Sequence, residues 1–292
     1  MSSFSDSDQN LAPGLYLVAT PIGNLEDIAL RALRVLRQAD RIACEDTRQT
    51  QKLLNHFEIR TPTVSYHMHN EGSRTEELIE DLKKGARIAI VSDAGTPGIA
   101  DPGAQIAAAA IAAGINVFPI PGANAAISAI IASGLPTETF TFHGFLPAKA
   151  GQRKTALEEL PRNNATHIFY EAPHRILDTL TDIEATFGPT QPVVLARELT
   201  KLHEEFLRGP VADLRTQLAA RATIRGEFVL LFFPTAAEAN ASQPRSIAAE
   251  VTALMQSENL SEKEALKRVA RERGIGKSEA YRELQREQNR LR

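Results

Sequence analysis

Three loops rich in glycine, proline and small polar residues follow short apolar runs, and each leads into a helical pattern. Residues 20–24 read TPIGN, residues 92–98 read SDAGTPG and residues 121–124 read PGAN. In an open parallel sheet, the loops at the carboxyl ends of the strands line the crevice where ligands bind. The sequence therefore predicts a ligand cradle built largely from backbone groups, with Asp93 as the carboxylate of its central loop.

The same loops exclude two common classes of nucleotide site. No GxGxxG follows an apolar run and no GxxxxGK[ST] occurs in the chain, so the dinucleotide fingerprint and the phosphate-binding P-loop are both missing. None of the three loops contains lysine or arginine. A ligand without phosphates is therefore favoured over a nucleoside triphosphate.

Groups that can accept a proton follow two further predicted strands. Glu45 and Asp46 follow residues 41–43, and His67 and His69 follow residues 63–66. A carboxylate or a neutral imidazole beside the crevice can act as a general base. The alternatives are an ordinary ion pair of Glu45 or Asp46 with Arg48, or metal binding by Asp46 with the two histidines, which are predicted to lie one residue apart on a strand and to face the same side. Their spacing offers too few ligands for a structural zinc site.

The order of strands and helices predicts an α/β protein with two domains and a C-terminal helical module. Residues 1–12 are a predicted disordered lead-in, residues 13–145 an N-terminal domain with a parallel sheet, and residues 146–234 a second domain with a mixed sheet. Residues 147–154 are predicted to be a polar connection, and Pro173 is placed in the first turn of a helix. Residues 235–245 have the composition of a linker, and residues 246–292 resemble a helix-turn-helix module.

Charge and cysteine content restrict the kind of partner and the cellular compartment that we expect. The chain of 292 residues has a net charge of −3, yet residues 241–292 hold 11 Lys/Arg against 8 Asp/Glu. This basic end hints at an anionic partner, although a solvated helical face explains it equally well. A single cysteine, Cys44, cannot form an intramolecular disulfide, and the sequence shows neither a signal peptide nor a membrane span. We expect a cytoplasmic protein that does not enter a membrane.

Several longer motifs resemble one family. They are LVATPIGNLEDI at 17–28, CEDTR at 44–48, SDAGTPGIADPG at 92–103, PIPGANA at 119–125, FYEAPHRI at 169–176, ARELTKLHEEF at 196–206 and GEFVLL at 226–231. Together they resemble the small-subunit ribosomal RNA methyltransferases, the RNA-modifying branch of the tetrapyrrole methylase superfamily. Small-molecule members typically carry GxGPG and GDP where this chain has ATPIG and SDA, and the sequence HMH at 67–69 departs from the glutamate expected at its centre.

The resemblance implies a two-domain tetrapyrrole-methylase-like fold, a homodimer and S-adenosyl-L-methionine as cofactor. It also implies methylation of the ribose 2′-hydroxyl of a cytidine in 16S ribosomal RNA, with the assembled small subunit as the expected partner. The general base is expected among Glu45, Asp46 and His67, and no metal is required. Three further cations, Arg48, Arg175 and Lys277, are candidate RNA contacts. The implied cofactor contacts are Pro21, Ile22, Gly23, Asp93, Ala94, Gly95, Thr96, Pro97, Asn124, Ala125, Ala126, Glu171, Arg197 and Glu227.

Two other functions remain open from the sequence. One is methylation of a tetrapyrrole or another small molecule, against which stand the altered loops and the basic C-terminal helices. The other is a ribosome-assembly factor that binds RNA without catalysis. Turnover with a labelled methyl donor separates the enzymes from the scaffold.

Overall fold

A computed structural model of the chain describes residues 10–161, 165–234, 247, 251, 252, 254, 255, 261–272, 280–282, 284 and 285. The described residues up to 234 form one compact unit, and those from 247 onward belong to a second. The predicted linker, most of the predicted lead-in and Lys277 lie outside the described residues. Among the helices that are described, none combines the length and the apolar character needed to cross a bilayer.

The first sheet has five strands, all parallel, in the order β3-β2-β4-β1-β5. Strand β4 is an unbroken apolar run that is buried from Ile88 to Val91, as expected for a parallel strand covered by helices on both faces. This confirms the predicted parallel sheet. The strands are β1 (Gly14–Val18), β2 (Arg41–Cys44), β3 (Thr63–Ser65), β4 (Arg87–Val91) and β5 (Val117–Ile120).

Helices cover both faces of this sheet. Helices α1 and α2 contribute to one apolar cluster and α3 and α4 to the other. The sequence predicts an apolar stripe of Leu30, Leu33 and Leu36 in α1. This prediction is partly wrong, because Leu30 is 85% exposed while Val35 and Leu36 enter the core. The helices are α1 (Leu30–Gln38), α2 (Thr47–His56), α3 (Glu71–Lys83), α4 (Ala104–Ala112) and α5 (Ala125–Ser133), with a short 3-10 helix at Leu25–Asp27.

The second sheet also has five strands, in the order β6-β7-β10-β8-β9. Strands β6 and β7 are parallel, and the other three neighbouring pairs are antiparallel. The sequence prediction of a mixed sheet is therefore confirmed. The strands are β6 (Phe140–Phe145), β7 (Thr166–Glu171), β8 (Pro192–Arg197), β9 (Glu205–Pro210) and β10 (Phe228–Phe232).

Helix α5 joins the two sheets. It follows β5 of the first sheet, yet Ala126, Ala129 and Ile130 pack with Ile168 and Val229 of the second. Their spacing places these three residues on one face of the helix. The opposite face of the second sheet is covered by three helices, α6 (Ala150–Glu158), α7 (Ile176–Phe187) and α8 (Val211–Ala219). The carboxyl ends of β1, β4 and β5 are thus brought beside the second sheet.

Two local predictions in this half are wrong. The predicted polar connection at 147–154 contains the start of α6, whose Arg153 is only 4% exposed. The Arg153 Nε donates to Asp182 at 2.6 Å, so the buried cation has a charged partner. Pro173 lies in the turn before α7 rather than in its first turn, because the helix begins at Ile176.

The C-terminal unit contains helix α9 (Glu262–Glu272). Its N-terminus is capped because the Ser261 hydroxyl and backbone N–H both donate to the Glu264 carboxylate, at 2.6 and 3.2 Å. Residues from three segments form a buried apolar cluster, which is Ile247, Val251, Ala265, Val269, Ala270, Ala280 and Leu284. This packing confirms helices with a common core in the C-terminal region.

Candidate functional site

The first two predicted loops are fastened to each other through their backbones. The Thr20 N–H donates to the Gly95 carbonyl at 2.8 Å, and the Gly95 N–H donates back to Thr20 at 3.0 Å. Gly95 has a φ of +80°, and a Cβ there would lie 3.2 Å from the Ile22 side chain. Glycine therefore permits both the left-handed backbone and the close approach of the two loops.

The third loop is fastened to the second through side chains. The Thr96 hydroxyl donates to the Ala123 carbonyl at 3.1 Å, and the Asn124 amide donates to the same hydroxyl at 3.2 Å. The other end of the Asn124 side chain caps α5 by accepting from the Ile127 N–H at 3.1 Å. The three loops are thus held in place before any ligand arrives, which lowers the entropic cost of binding.

A cavity of about 520 Å³ lies between these loops and strands β7, β8 and β10. Its size is in the usual range of small-molecule sites, about 300–1,000 Å³. Ala196, Leu199 and Val229 give one wall an apolar character. Nine of the residues predicted to contact the cofactor line this cavity: Ile22, Asp93, Ala94, Gly95, Thr96, Asn124, Ala125, Glu171 and Glu227.

The other predicted cofactor contacts lie elsewhere. Pro21 and Gly23 line a neighbouring groove, and Ala126 is buried on the face of α5 that packs against the second sheet. Pro97 is not part of the cavity lining. Arg197 turns away from the cavity, since its Nε donates to Glu205 at 3.0 Å and its Nη1 to the Arg225 carbonyl at 3.0 Å.

The described lining of the cavity is acidic. Its carboxylates are Glu45, Asp93, Asp101, Glu171 and Glu227, and Lys201 is the one cation in that lining. The Lys201 ammonium donates to Glu198 at 2.8 Å and to Glu227 at 3.0 Å. Burial would lower the pKa of Lys201, but these two carboxylates outweigh it and raise that pKa. The remaining carboxylates favour a ligand that carries positive charge.

Glu45 and Asp101 have perturbed acidities. Burial, followed by the charge of Asp93, raises the pKa of Glu45. Burial, followed by the charge of Glu45, raises the pKa of Asp101 to about 6. Carboxylates with raised pKa values in a cavity are suited to accept a proton near neutral pH.

The other two candidate bases differ from Glu45. Asp46 caps α2 and binds the Arg48 guanidinium at 2.8 Å, and these hydrogen bonds lower its pKa to about 2. The prediction that His67 and His69 share a strand is wrong, because β3 ends at Ser65. Their rings meet edge to face at 5.9 Å in the following turn. Over the described residues, no cluster of histidine, cysteine and carboxylate side chains has the arrangement of a metal site.

The predicted RNA contacts differ in how accessible they are. The Arg48 side chain is 87% exposed beside the site. The Arg175 Nη2 donates to the Leu146 carbonyl at 2.7 Å and to the Pro147 carbonyl at 3.1 Å, so it ties the end of β6 to the turn after β7. Lys277 lies outside the described residues.

Comparison with known proteins identifies the family. The family model of Tetrapyrrole (Corrin/Porphyrin) Methylases matches residues 14–215. "Ribosomal RNA small subunit methyltransferase I" of Halalkalibacterium halodurans is 51% identical, over 91% of this chain and 93% of its own length. The chain belongs to this family of methyltransferases. The protein of the same name from Bacillus subtilis is 44% identical over 96% of both chains.

Solved structures of other proteins share the fold of this chain. Uroporphyrin-III-C-methyltransferase from Thermus thermophilus matches with a TM-score of 0.53 and 23% identity, over 75% of this chain and 94% of its own. Diphthine synthase matches with a TM-score of 0.56 and 15% identity, over 75% and 89%. The tetrapyrrole-methylase-like fold predicted from the motifs is therefore confirmed.

Three polar residues of the methylase cavity are missing from the sequence prediction. Asp101, Tyr170 and Lys201 all line the cavity. Asp101 had a detectable signal, because it follows Asp93 within the same long loop before α4. Lys201 reaches the first loop from the second sheet, where a Cβ on Gly23 would lie 2.3 Å from its Cγ. Such long-range contacts leave no mark in the local sequence.

Proposed function

We propose that this methyltransferase uses S-adenosyl-L-methionine to methylate the 2′-hydroxyl of a cytidine ribose in 16S ribosomal RNA. The observation that carries the proposal is an acidic, preorganised cavity in a chain that is 51% identical to a protein named for methylation of small-subunit ribosomal RNA. The apolar wall and the three loops suit a cofactor without phosphate groups, because none of the loops contains lysine or arginine.

The residues present fit S-adenosylmethionine. The cofactor would supply a methyl group bonded to a positively charged sulfonium sulfur, and the neutral thioether of S-adenosylhomocysteine would be the leaving group. The positive charge of the cofactor suits the carboxylates of the lining, and the apolar wall at Ala196, Leu199 and Val229 suits a purine ring. We assign its binding to the loop groups of Asp93 and Thr96 and their neighbours. Pro21, Gly23, Pro97, Ala126 and Arg197 line no part of this cavity and would act from outside it.

The protein has two tasks in the transfer. It must hold the acceptor oxygen in line with the methyl group and keep water out, which the pinned loops favour. It must also accept the proton of the ribose hydroxyl, and we assign this to Glu45. Glu45 lines the cavity and has a raised pKa, whereas the Asp46 carboxylate is held by Arg48 and the His67 ring lies in the turn after β3.

The substrate is a folded RNA, and we propose that it is recognised within the assembled small subunit. Arg48 is the best-placed predicted RNA contact because its side chain is exposed beside the site. We extend the proposal to Lys277 and the basic C-terminal module. We assign Arg175 an indirect role in RNA binding, because its guanidinium positions the loop after β6. We also propose a cytoplasmic homodimer, with domains bounded at residues 145, 234 and 246 as the sequence predicts.

The experiment transfers labelled methyl groups from S-adenosylmethionine to small subunits purified from cells that lack this protein. The label is then mapped after alkaline hydrolysis, because a 2′-O-methyl group protects the adjoining phosphodiester. We expect one protected cytidine, with label lost in Asp93→Ala and retained in the exposed control Asp213→Ala. Label on a base, or no label although the cofactor binds, would overturn the proposal.

A further inference from the structure

A second concave surface adjoins the cavity. This groove, of about 480 Å³, is lined by Gln49, Thr50, Lys52 and Leu53 of α2, by residues 20–23 and 25, and by residues 91–94. Groove and cavity have five lining residues in common, which are Ile22, Asp93, Ala94, Lys201 and Glu227. Molecules bound in the two spaces would therefore meet at this shared wall, which is what a group transfer requires.

The side of the groove formed by α2 carries one positive charge, that of Lys52, since Arg48 pairs with Asp46 and does not line the groove. Helix α2 reads TRQTQKLLNH and contains Arg48 and Lys52 but no carboxylate. The Lys52 ammonium contacts the Gln49 side chain at 3.0 Å. Among the residues that the structure describes, no carboxylate lies within ion-pair distance of Lys52. An uncompensated lysine at the rim of a groove is suited to contact a phosphate.

The opposite side of the groove is apolar. Leu25 is 40% exposed there and Pro21 extends the same surface, while Leu53 adds an apolar side chain on the α2 side. A sugar or the face of a nucleobase can pack on such side chains when the base is unstacked. Pro21 and Gly23 line this groove rather than the cavity, so in this arrangement they contact the sugar or base instead of the cofactor.

We propose that the groove between α2 and the first loop receives the acceptor nucleotide, with Lys52 on a flanking phosphate and the nucleoside against Leu25. This inference rests on the proposed RNA methylation and names where the substrate of that reaction binds. The RNA strand enters along α2, past Arg48, and its ribose reaches the shared wall at Asp93.

The test compares Lys52→Glu and Lys52→Arg with the wild type, using labelled transfer to small subunits. The control is Lys84→Glu, the same charge change beside the amino ends of the strands. We expect Lys52→Glu to raise KM for subunits about 10-fold or more, with kcat within about threefold and cofactor affinity by calorimetry unchanged. Lys52→Arg keeps the positive charge and should retain a KM close to that of the wild type, and Lys84→Glu should match the wild type.

The dependence on salt separates a phosphate contact from a structural role. If Lys52 binds one phosphate, the slope of log KM against log salt falls by roughly 0.7–0.9 in Lys52→Glu. A wild-type KM and slope in Lys52→Glu would overturn the inference. A loss of cofactor affinity would also overturn it, because the groove would then bind the cofactor rather than the acceptor nucleotide. Absence of transfer by the wild type would instead overturn the proposed function.

Discussion

Two turns that line the cavity each carry a carboxylate, and the two carboxylates differ in their hydrogen-bond partners. After β7, Glu171 is 2% exposed and accepts from the Thr179 hydroxyl at 2.6 Å and from the Ala172 N–H at 2.9 Å, with Arg175 at 3.4 Å. After β2, Glu45 lies in the same cavity, and no hydrogen bond or ion pair to its carboxylate is formed by the described residues. Burial, followed by the charge of the nearby Glu45, raises the pKa of Asp101.

The contrast separates structure from chemistry. A buried carboxylate with all its partners in place stabilises the fold, and removing it leaves those partners unsatisfied. A carboxylate held in a cavity without partners lowers stability and is retained where a reaction needs it. Glu171 therefore has a structural role and we assign the proton transfer to Glu45, although the sequence predicts both as site residues.

The largest expected effect is on turnover. Glu45→Gln removes the proton acceptor while keeping the shape of the side chain, so the single-turnover rate should fall by about 10²- to 10⁴-fold. Cofactor affinity measured by calorimetry should stay within a few-fold, and Asp213→Ala serves as the exposed acidic control. A Glu45→Gln enzyme with the wild-type rate would remove Glu45 from the chemistry.

A smaller effect, on stability rather than chemistry, is expected at the second turn. Glu171→Ala leaves the Thr179 hydroxyl and the Arg175 guanidinium without their carboxylate partner, so the free energy of unfolding should fall by about 3 kcal/mol. Denaturant unfolding of this variant is compared with Glu158→Ala, on the surface of α6, which should change it by less than about 0.5 kcal/mol. Equal stability of the two variants would contradict the structural role of Glu171.

The smallest expected effect is a shift in pH dependence. The base must be deprotonated, so the transfer rate should rise with pH and level off above the raised pKa values of the Glu45 and Asp101 pair, which for Asp101 is about 6. Asp101→Asn removes the group whose pKa is raised to about 6, so the part of the rise near pH 6 should disappear and the rate should level off at lower pH. An unchanged profile in Asp101→Asn would show that the two carboxylates are not coupled.

The positions of the three loops could be predicted from sequence because each lies between an apolar run and a helical pattern. The parallel sheet then follows, since β4 is apolar throughout and its neighbours alternate with helices. Helix α2 was missed because it buries little more than Thr50 and Leu54. Helix α6 was taken for a polar connection because its buried Arg153 resembles a surface residue until Asp182 is brought beside it.

The side chains contributed by the second sheet were the hardest to predict. Arg197 and Lys201 are close in sequence, yet Arg197 pairs with Glu205 while Lys201 enters the cavity. The difference arises at the turn after β8, where Glu198 and Thr200 adopt left-handed backbone conformations. Such conformations are uncommon outside glycine and have no clear sequence signal here. The motifs identified the family, but they did not reveal which polar groups pair with each other.

A crystal structure of the protein with S-adenosylhomocysteine tests the assigned cofactor site most directly. We expect S-adenosylhomocysteine to occupy the cavity, beside Asp93, Thr96 and Asn124, with its purine against the wall that contains Val229. We also expect the groove along α2 to stay open. Density for the product in that groove, or in no part of the cavity, would contradict the assignment of the cofactor site and with it the role of Glu45.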